Sequence, residues 1–247
     1  MAAARVVAVI PVLNEAGAIG PTITALPRDV VDAVIVVDGG SGDATAREAR
    51  DAGAEVLIEL RPGYGRACAV GAERARALGA FVVLFLDGDG ADPAEQAIQL
   101  VGPVLADTAD FVMASRTRGR RERGSMGLHQ VLAGRLIGGA IGIATGVRYS
   151  DMSAFRAIRI ERLHALGMRE MTYGWNLEMQ MRAARAGLRV REVPLPYRRR
   201  VAGQSKVAGT VRGTLKAGGR MAATFVRVLV SGKDSDELPV RPLPPAG

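Results

Sequence analysis

Two carboxylates separated by one glycine, Asp87-Gly88-Asp89, stand directly after the apolar run Phe81-Val82-Val83-Leu84-Phe85-Leu86. Such oxygen donors suit a hard divalent cation, Mg²⁺ or Mn²⁺, which carboxylates can bridge to the phosphates of a substrate. Gly88 would leave room for a diphosphate to approach the backbone. The same residues also make an ordinary turn. Their place at a strand end favours the metal, because ligands of open α/β sheets gather at the C-terminal ends of the strands. Three other apolar runs end comparably. Pro11, Asn14 and Glu15 follow the first, Asp38-Gly39-Gly40-Ser41 the second, and Gly63-Tyr64-Gly65-Arg66 the third. Together these ends describe a crevice of nucleotide size. Asp38 would accept a hydrogen bond from a base or ribose, or simply cap the next helix. The Gly63-Tyr64-Gly65 turn lacks the third glycine of a dinucleotide fingerprint and follows the wrong strand, which removes the main support for a nicotinamide enzyme. A first strand ending Pro11-Val12-Leu13-Asn14-Glu15, with no glycine-rich loop followed by Arg, argues against a nucleotidyltransferase.

The elements that must position these residues follow from periodicity. Val6–Leu13, Ala33–Val37, Glu55–Ile58, Phe81–Leu86 and Phe111–Ala114 read as buried parallel strands. Between them, Ala16–Leu26, Asp43–Ala52, Arg66–Leu78 and Pro93–Leu105 have helical spacing. Pro93 at a first helical position and Gly53 and Gly79 just past helix ends mark the boundaries. The pattern predicts an α/β fold with a mostly parallel central sheet and helices on both faces. The second half holds a basic loop, residues 116–124, then an apolar segment of small residues. After it come a strand near Val147–Ile158, a helix at Trp175–Ala186, a strand at Leu188–Val193 and a helix over Val207–Val230. Residues 1–230 are expected to form a single domain, and residues 231–247 a disordered tail.

The length of 247 residues suits one large domain, and 48% hydrophobic residues exclude a disordered chain. A lone cysteine, Cys68, excludes a disulfide framework; with only His129 and His164 besides, a structural zinc site has no ligand set. The net charge of +8 is concentrated: residues 189–227 contain ten basic residues and one acidic one, Glu192. Such a surface suits a polyanion. The lack of exposed aromatic pairs and the metal motif disfavour a nucleic-acid-binding module. The longest apolar stretch, Leu136–Val147, falls short of the roughly 20 residues that span a bilayer.

The ordered motifs Ile10-Pro11-Val12-Leu13-Asn14-Glu15, Val36 to Thr45 and Leu86-Asp87-Gly88-Asp89 resemble those of inverting family 2 glycosyltransferases. Ser115-Arg116, Asp151-Met152-Ser153-Ala154-Phe155-Arg156 and Arg200 to Lys206 look like the dolichol-phosphate mannose and glucose synthase branch. The match runs from about Val6 to Lys206. It implies the GT-A nucleotide-sugar-binding fold, with residues 1–115 the nucleotide-sugar-binding half and 116–206 the acceptor-binding half, and transfer of a hexose from UDP-glucose or GDP-mannose to a polyprenyl phosphate. It also implies metal ligands at Asp87 and Asp89 and nucleotide-sugar contacts at Pro11, Asn14, Glu15, Asp38, Gly65 and Gly88. Acceptor contacts would fall on Arg116, Arg135, Ser153, Arg200, Ser205 and Lys206, with Asp89, Arg116, Arg200 and Lys206 central to catalysis. The chain departs from the family pattern at Gly39, where a second Asp is usual. Ala91 stands in place of a Gln, leaving the third metal ligand open beside Asp92. Tyr64 replaces a Lys, with Arg66 near enough to supply that charge.

A phosphate acceptor is already an anion and needs cations rather than a general base. Arg198 and Arg199 read as a solvated charge run. A hydroxyl acceptor would instead need Asp151 or Glu178 as base. From Val211 to Val230, Arg212, Lys216, Arg220 and Arg227 share one helical face. That face predicts peripheral binding to an anionic membrane surface, on its cytoplasmic side. The alternatives are packing on the domain or on a second copy, a homo-oligomer.

Overall fold

A computed structural model describes residues 4–201 and 211–230, of which 128–130 and 211–217 are described by backbone alone. The strands β1 (Val6–Val12), β2 (Ala33–Asp38), β3 (Glu55–Ile58) and β4 (Val82–Phe85) form where the apolar runs fall. They alternate with α1 (Ile19–Ala25), α2 (Thr45–Asp51) and α3 (Tyr64–Ala77). Gly53 and Gly79 take φ of +89° and +74°, the left-handed conformation that ends a helix and costs a glycine little. The span after Pro93 is a short 3₁₀ turn, Ala94–Gln96, followed by α4 (Ile98–Leu105).

Further along come β5 (Phe111–Ser115), α5 (Leu128–Thr145), β6 (Arg156–Arg159), α6 (Ile160–Ala165), α7 (Trp175–Arg185), β7 (Val190–Pro194) and α8 (Val211–Val230). Together the strands make a seven-stranded sheet in the order β3-β2-β1-β4-β6-β5-β7. It is parallel except at β6, which runs antiparallel to both β4 and β5. The expectation of a strand over Val147–Ile158 is corrected: only its last residues pair, and residues 147–155 form the loop that carries Asp151. β5 therefore does not follow β4 directly in the sheet, because β6 lies between them.

The side chains of each strand alternate between two apolar layers. Val7, Val9, Ile35, Val37, Val83, Phe85 and Met113 face α3, α6 and α7. Ala8, Ile10, Val34, Val36, Leu84 and Val112 face α1 and α4. The small-residue segment is α5. A Cβ at Gly138 would stand 1.9 Å from the Tyr149 carbonyl oxygen. Only glycine lets α5 lie directly on the 149–151 loop. α8 packs on α7, burying Thr224 and Val228. No described helix is long and apolar enough to cross a membrane.

Candidate active site

The chain leaves β4 into an acidic loop. Asp89 and Asp92 are buried, and Asp87 is partly so. Burial, reinforced by the charge of Asp89, pushes the Asp87 carboxyl up to about 6. Burial together with the charges of Asp87 and Asp89 pushes Asp92 up to about 8. Crowded carboxylates of this kind favour a bound cation over water. The Oδ1 of Asp89 accepts from Ala91 N at 2.9 Å. Its Oδ2 is buried and receives no hydrogen bond, but faces the Arg200 guanidinium at 3.0 Å. An oxygen so placed, within an all-oxygen donor set, fits Mg²⁺ or Mn²⁺. Among the described residues no three such side chains form a metal cage by themselves. That also suits these ions, which commonly take one or two carboxylates and complete their shell with phosphates and water.

Beside this loop lies the end of β1. Asn14 adopts φ 51° and exchanges bonds with the opposite turn: its N donates to Ser41 Oγ at 2.8 Å, and its Oδ1 accepts from Gly42 N at 2.9 Å. Glu15 N donates to Thr45 Oγ1. Asp38 is buried, and its Oδ1 accepts from Gly40 N, Ser41 N and Ser41 Oγ. That oxygen closes the turn after β2 and does not cap the next helix, since α2 begins at Thr45 with no side-chain cap. Pro11, half-buried, is the last residue but one of β1 and pairs with Val37, so that Val12 stands opposite Asp38. Two glycines of the expected site have packing duties. A Cβ at Gly88 would meet Val12 Cγ1 at 2.6 Å, so Gly88 serves the packing of β4 on β1. A Cβ at Gly65 would meet the Glu170 carbonyl oxygen at 2.5 Å, so Gly65 seats α3 against residues 170–172.

The cationic side comes from the end of β5. Arg116 Nε and Nη2 each donate to a different oxygen of Asp151 at 2.8 Å, and the Arg116 backbone N donates to Asp151 as well. Tyr197 lies under the guanidinium, 5.0 Å from ring centre to Cζ. Burial would raise the Asp151 carboxyl, but the Arg116 hydrogen bonds outweigh it and hold it below its usual value. Arg200 lies on the donor side, nearer Asp89 and Glu15 than the acceptor role implies, with Nη1 3.9 Å from Glu15 Oε1. Ser153 is fully buried, and its Oγ accepts from Phe155 N. It shapes the loop instead of facing an acceptor. Arg135 is exposed on α5, one residue from the Gly134 that approaches Asp151. Ser205 and Lys206 lie outside the described residues. Arg198 and Arg199 are not a free charge run: Arg198 pairs with Glu95, and Arg199 Nε donates to the Arg123 carbonyl at 2.7 Å.

The family model for Glycosyl transferase family 2 matches residues 7–163. The chain belongs to glycosyl transferase family 2. It is 35% identical over 223 residues to an uncharacterized glycosyltransferase of Mycobacterium tuberculosis, covering 88% of this chain and 96% of that one. An undecaprenyl-phosphate mannosyltransferase of Micrococcus luteus is 32% identical over 225 residues, covering 85% and 90%. A dolichyl-phosphate hexose transferase of Haloferax volcanii is 32% identical over 205 residues, covering 78% and 82%. Glucosyl-3-phosphoglycerate synthase from Mycobacterium tuberculosis, solved with Mn²⁺, uridine diphosphate and phosphoglyceric acid, superposes with a TM-score of 0.71 at 23% identity. That superposition spans 93% of this chain and 80% of the synthase. The fold is the GT-A type, and the protein is an enzyme of glycosyl transfer.

In this family 2 glycosyltransferase, Glu178 is fully buried. It accepts from Arg169 N and Glu170 N and pairs with Arg182 at 3.0 Å. Sequence reasoning assigned no role to Arg156, a fully buried guanidinium on β6 opposite Phe85. Among the described residues no carboxylate stands within ion-pair distance of it, and its donors reach the carbonyls of Ser153 and Asn176. Tyr197 was also missed. Its one signal is an aromatic residue next to the Arg198-Arg199-Arg200 run.

Proposed function

We propose that this glycosyltransferase moves a hexose from a nucleotide sugar of the UDP-glucose or GDP-mannose type onto a polyprenyl phosphate at a membrane surface. The observation that carries this reading is the fate of the two candidate bases. Asp151 is spent on Arg116, and Glu178 is sealed on the buried face of α7, paired with Arg182 one turn along. An acceptor that arrives already ionised needs neither. The names of the Micrococcus and Haloferax relatives point the same way.

Asp87 and Asp89 would hold Mg²⁺ or Mn²⁺, with Asp92 beside them in the position the family's third ligand leaves open. The ion, when bound, neutralises the departing diphosphate. The chain's own groups do the rest. Asn14, Glu15 and the Asp38 turn line the nucleotide end of the crevice. Arg116, held rigid by Asp151 and Tyr197, offers its outer N–H groups to the acceptor phosphate. A phosphate oxygen attacks the anomeric carbon, the bond from that carbon to the diphosphate oxygen breaks, and the nucleoside diphosphate leaves with the electron pair. No proton need be taken from the nucleophile. Fixed guanidinium donors stabilise charge without reorganising during the step.

The test compares a polyprenyl phosphate with the matching polyprenol, using Mn²⁺ and a panel of nucleotide sugars. Transfer to the phosphate alone is expected. Equal glycosylation of the alcohol would return the reading to a hydroxyl acceptor and a general base.

A further inference from the structure

The deciding geometry lies where residues 198–201 run along the acidic loop. Val201 N donates to the Asp89 carbonyl at 2.9 Å, and Arg198 N donates to the Ala91 carbonyl at 3.0 Å. Gly90, at φ +75°, makes the approach possible: a Cβ there would stand 2.6 Å from Val201 Cγ2. The backbone of Arg200 is therefore anchored on both sides. Its side chain, one-third exposed, is the part with freedom to move. That side chain rests on Asp89 Oδ2, the carboxylate oxygen left over once Oδ1 has bonded Ala91 N.

We propose that Arg200 is an internal cation that competes with the divalent metal for Asp89 and, once displaced, is delivered to the acceptor phosphate. This rests on the metal-dependent reading given above. A divalent ion on Oδ2 and a guanidinium 3.0 Å from that atom exclude each other by space and by like charge. The displaced guanidinium cannot travel far, because its backbone stays bonded to residues 89–91. It turns instead toward the open side of the crevice and joins Arg116 as a second phosphate ligand. Donor loading and acceptor capture are thereby coupled, and binding is ordered with the metal and nucleotide sugar first. Linkage makes the coupling reciprocal: whatever Arg200 contributes on Asp89 is subtracted from metal affinity.

The consequence has an unusual sign. Arg200→Ala is expected to bind Mn²⁺ more tightly than wild type, by roughly tenfold on the scale of ordinary site coupling, while transfer to the phosphate acceptor falls. Arg200→Lys, a smaller point charge, should lie between. The measurement is Mn²⁺ titration without nucleotide, by calorimetry or by the loss of the free-ion paramagnetic resonance signal. Arg198→Ala is the control, since it removes an equal charge nearby that is already paired with Glu95; its Mn²⁺ affinity should match wild type. Unchanged or weaker Mn²⁺ binding in folded Arg200→Ala overturns the proposal, as does an equal gain in Arg198→Ala. Failure of the wild type itself to bind Mn²⁺, even with UDP or GDP present, would instead overturn the metal-dependent reading beneath it.

Discussion

Arg116 and Asp151 lock each other: two 2.8 Å bonds join one edge of the guanidinium to both carboxylate oxygens, with Asp151 almost wholly buried. The pair ties the end of β5 to the 149–151 loop on which α5 rests. Removing the carboxylate strands a largely buried cation, which costs roughly 3–5 kcal/mol. Asp151→Ala is thus expected to lower the melting temperature sharply. Asp151→Asn keeps the shape and should lose less. It also separates two roles, because a base would be abolished by the amide. Asp151→Asn is expected to retain measurable transfer with the pH–rate profile of wild type; loss of one limb of that profile would restore Asp151 as base.

Asp89→Asn tests the metal site. The amide oxygen can still accept from Ala91 N, so the loop keeps its turn. Losing the pair with Arg200 has a cost because Asp89 is buried, but the amide also removes one charge from beside Asp87 and Asp92, and the two effects oppose each other. Mn²⁺-dependent binding of UDP or GDP is expected to vanish in calorimetry, with a melting temperature near that of wild type. Wild-type nucleotide binding by this variant in Mn²⁺ would remove Asp89 from the ligand set.

The strands and acidic loop were legible because burial and chemistry coincide there. β1, β4 and β2 up to Val37 are unbroken apolar runs, and only Leu86 separates β4 from Asp87. β6 was not legible as a short strand inserted between β4 and β5. Its sequence Arg-Ala-Ile-Arg places guanidinium groups at both ends, and its antiparallel partners are remote in sequence. α5 hides its period for a different reason: Gly134 and Gly138 face the 149–151 loop where an ordinary helix shows large apolar residues. The direction of Arg200 toward Asp89 was equally invisible, since it depends on backbone bonds between residues some 110 positions apart. The face of α8 was half legible. Its basic residues are spaced as expected, yet Arg227 turns inward to Glu170 at 3.0 Å.

Acid stability should report the cluster at the far end of β5. Asp110 is buried; burial would raise its carboxyl, but the hydrogen bonds from Arg189 outweigh it and hold it below the usual value. A carboxylate lowered on folding stabilises fully above its unfolded value of about 3.9, and that contribution is lost as pH falls through the lower folded value. Asp110→Asn is therefore expected to cost about 2–3 kcal/mol at neutral pH, below the figure for a fully buried pair because Arg189 is half exposed. The gap from wild type should close only below about pH 4. Thermal melts across pH 2–7 measure it; a gap that is constant over this range would show that the Asp110 charge is not the source.

α8 presents one face to the body of the protein and another to solvent. Thr224 and Val228 are buried against the body, and Thr224 Oγ1 donates to Glu170 Oε2 at 2.8 Å. Val226, Leu229 and Val230 are exposed, Val230 by 75%. Arg220 is exposed as well. An exposed apolar edge beside a basic residue is what an interfacial helix presents to lipid. Reversing a charge near an anionic surface changes binding by about 2 kcal/mol, roughly 30-fold, at about 1 kcal/mol per charge. Arg220→Glu is accordingly expected to weaken sedimentation with phosphatidylglycerol vesicles by about that factor, and Val226→Glu with Leu229→Glu to weaken it further. Salt at about 1 M, where screening acts within about 3 Å, should release the wild type. Arg227→Glu should behave differently and lower the melting temperature, because it sets a carboxylate against Glu170 and Glu178. If neutral phosphatidylcholine vesicles bind the protein as well as anionic ones, the basic residues of α8 are not what holds it at a membrane.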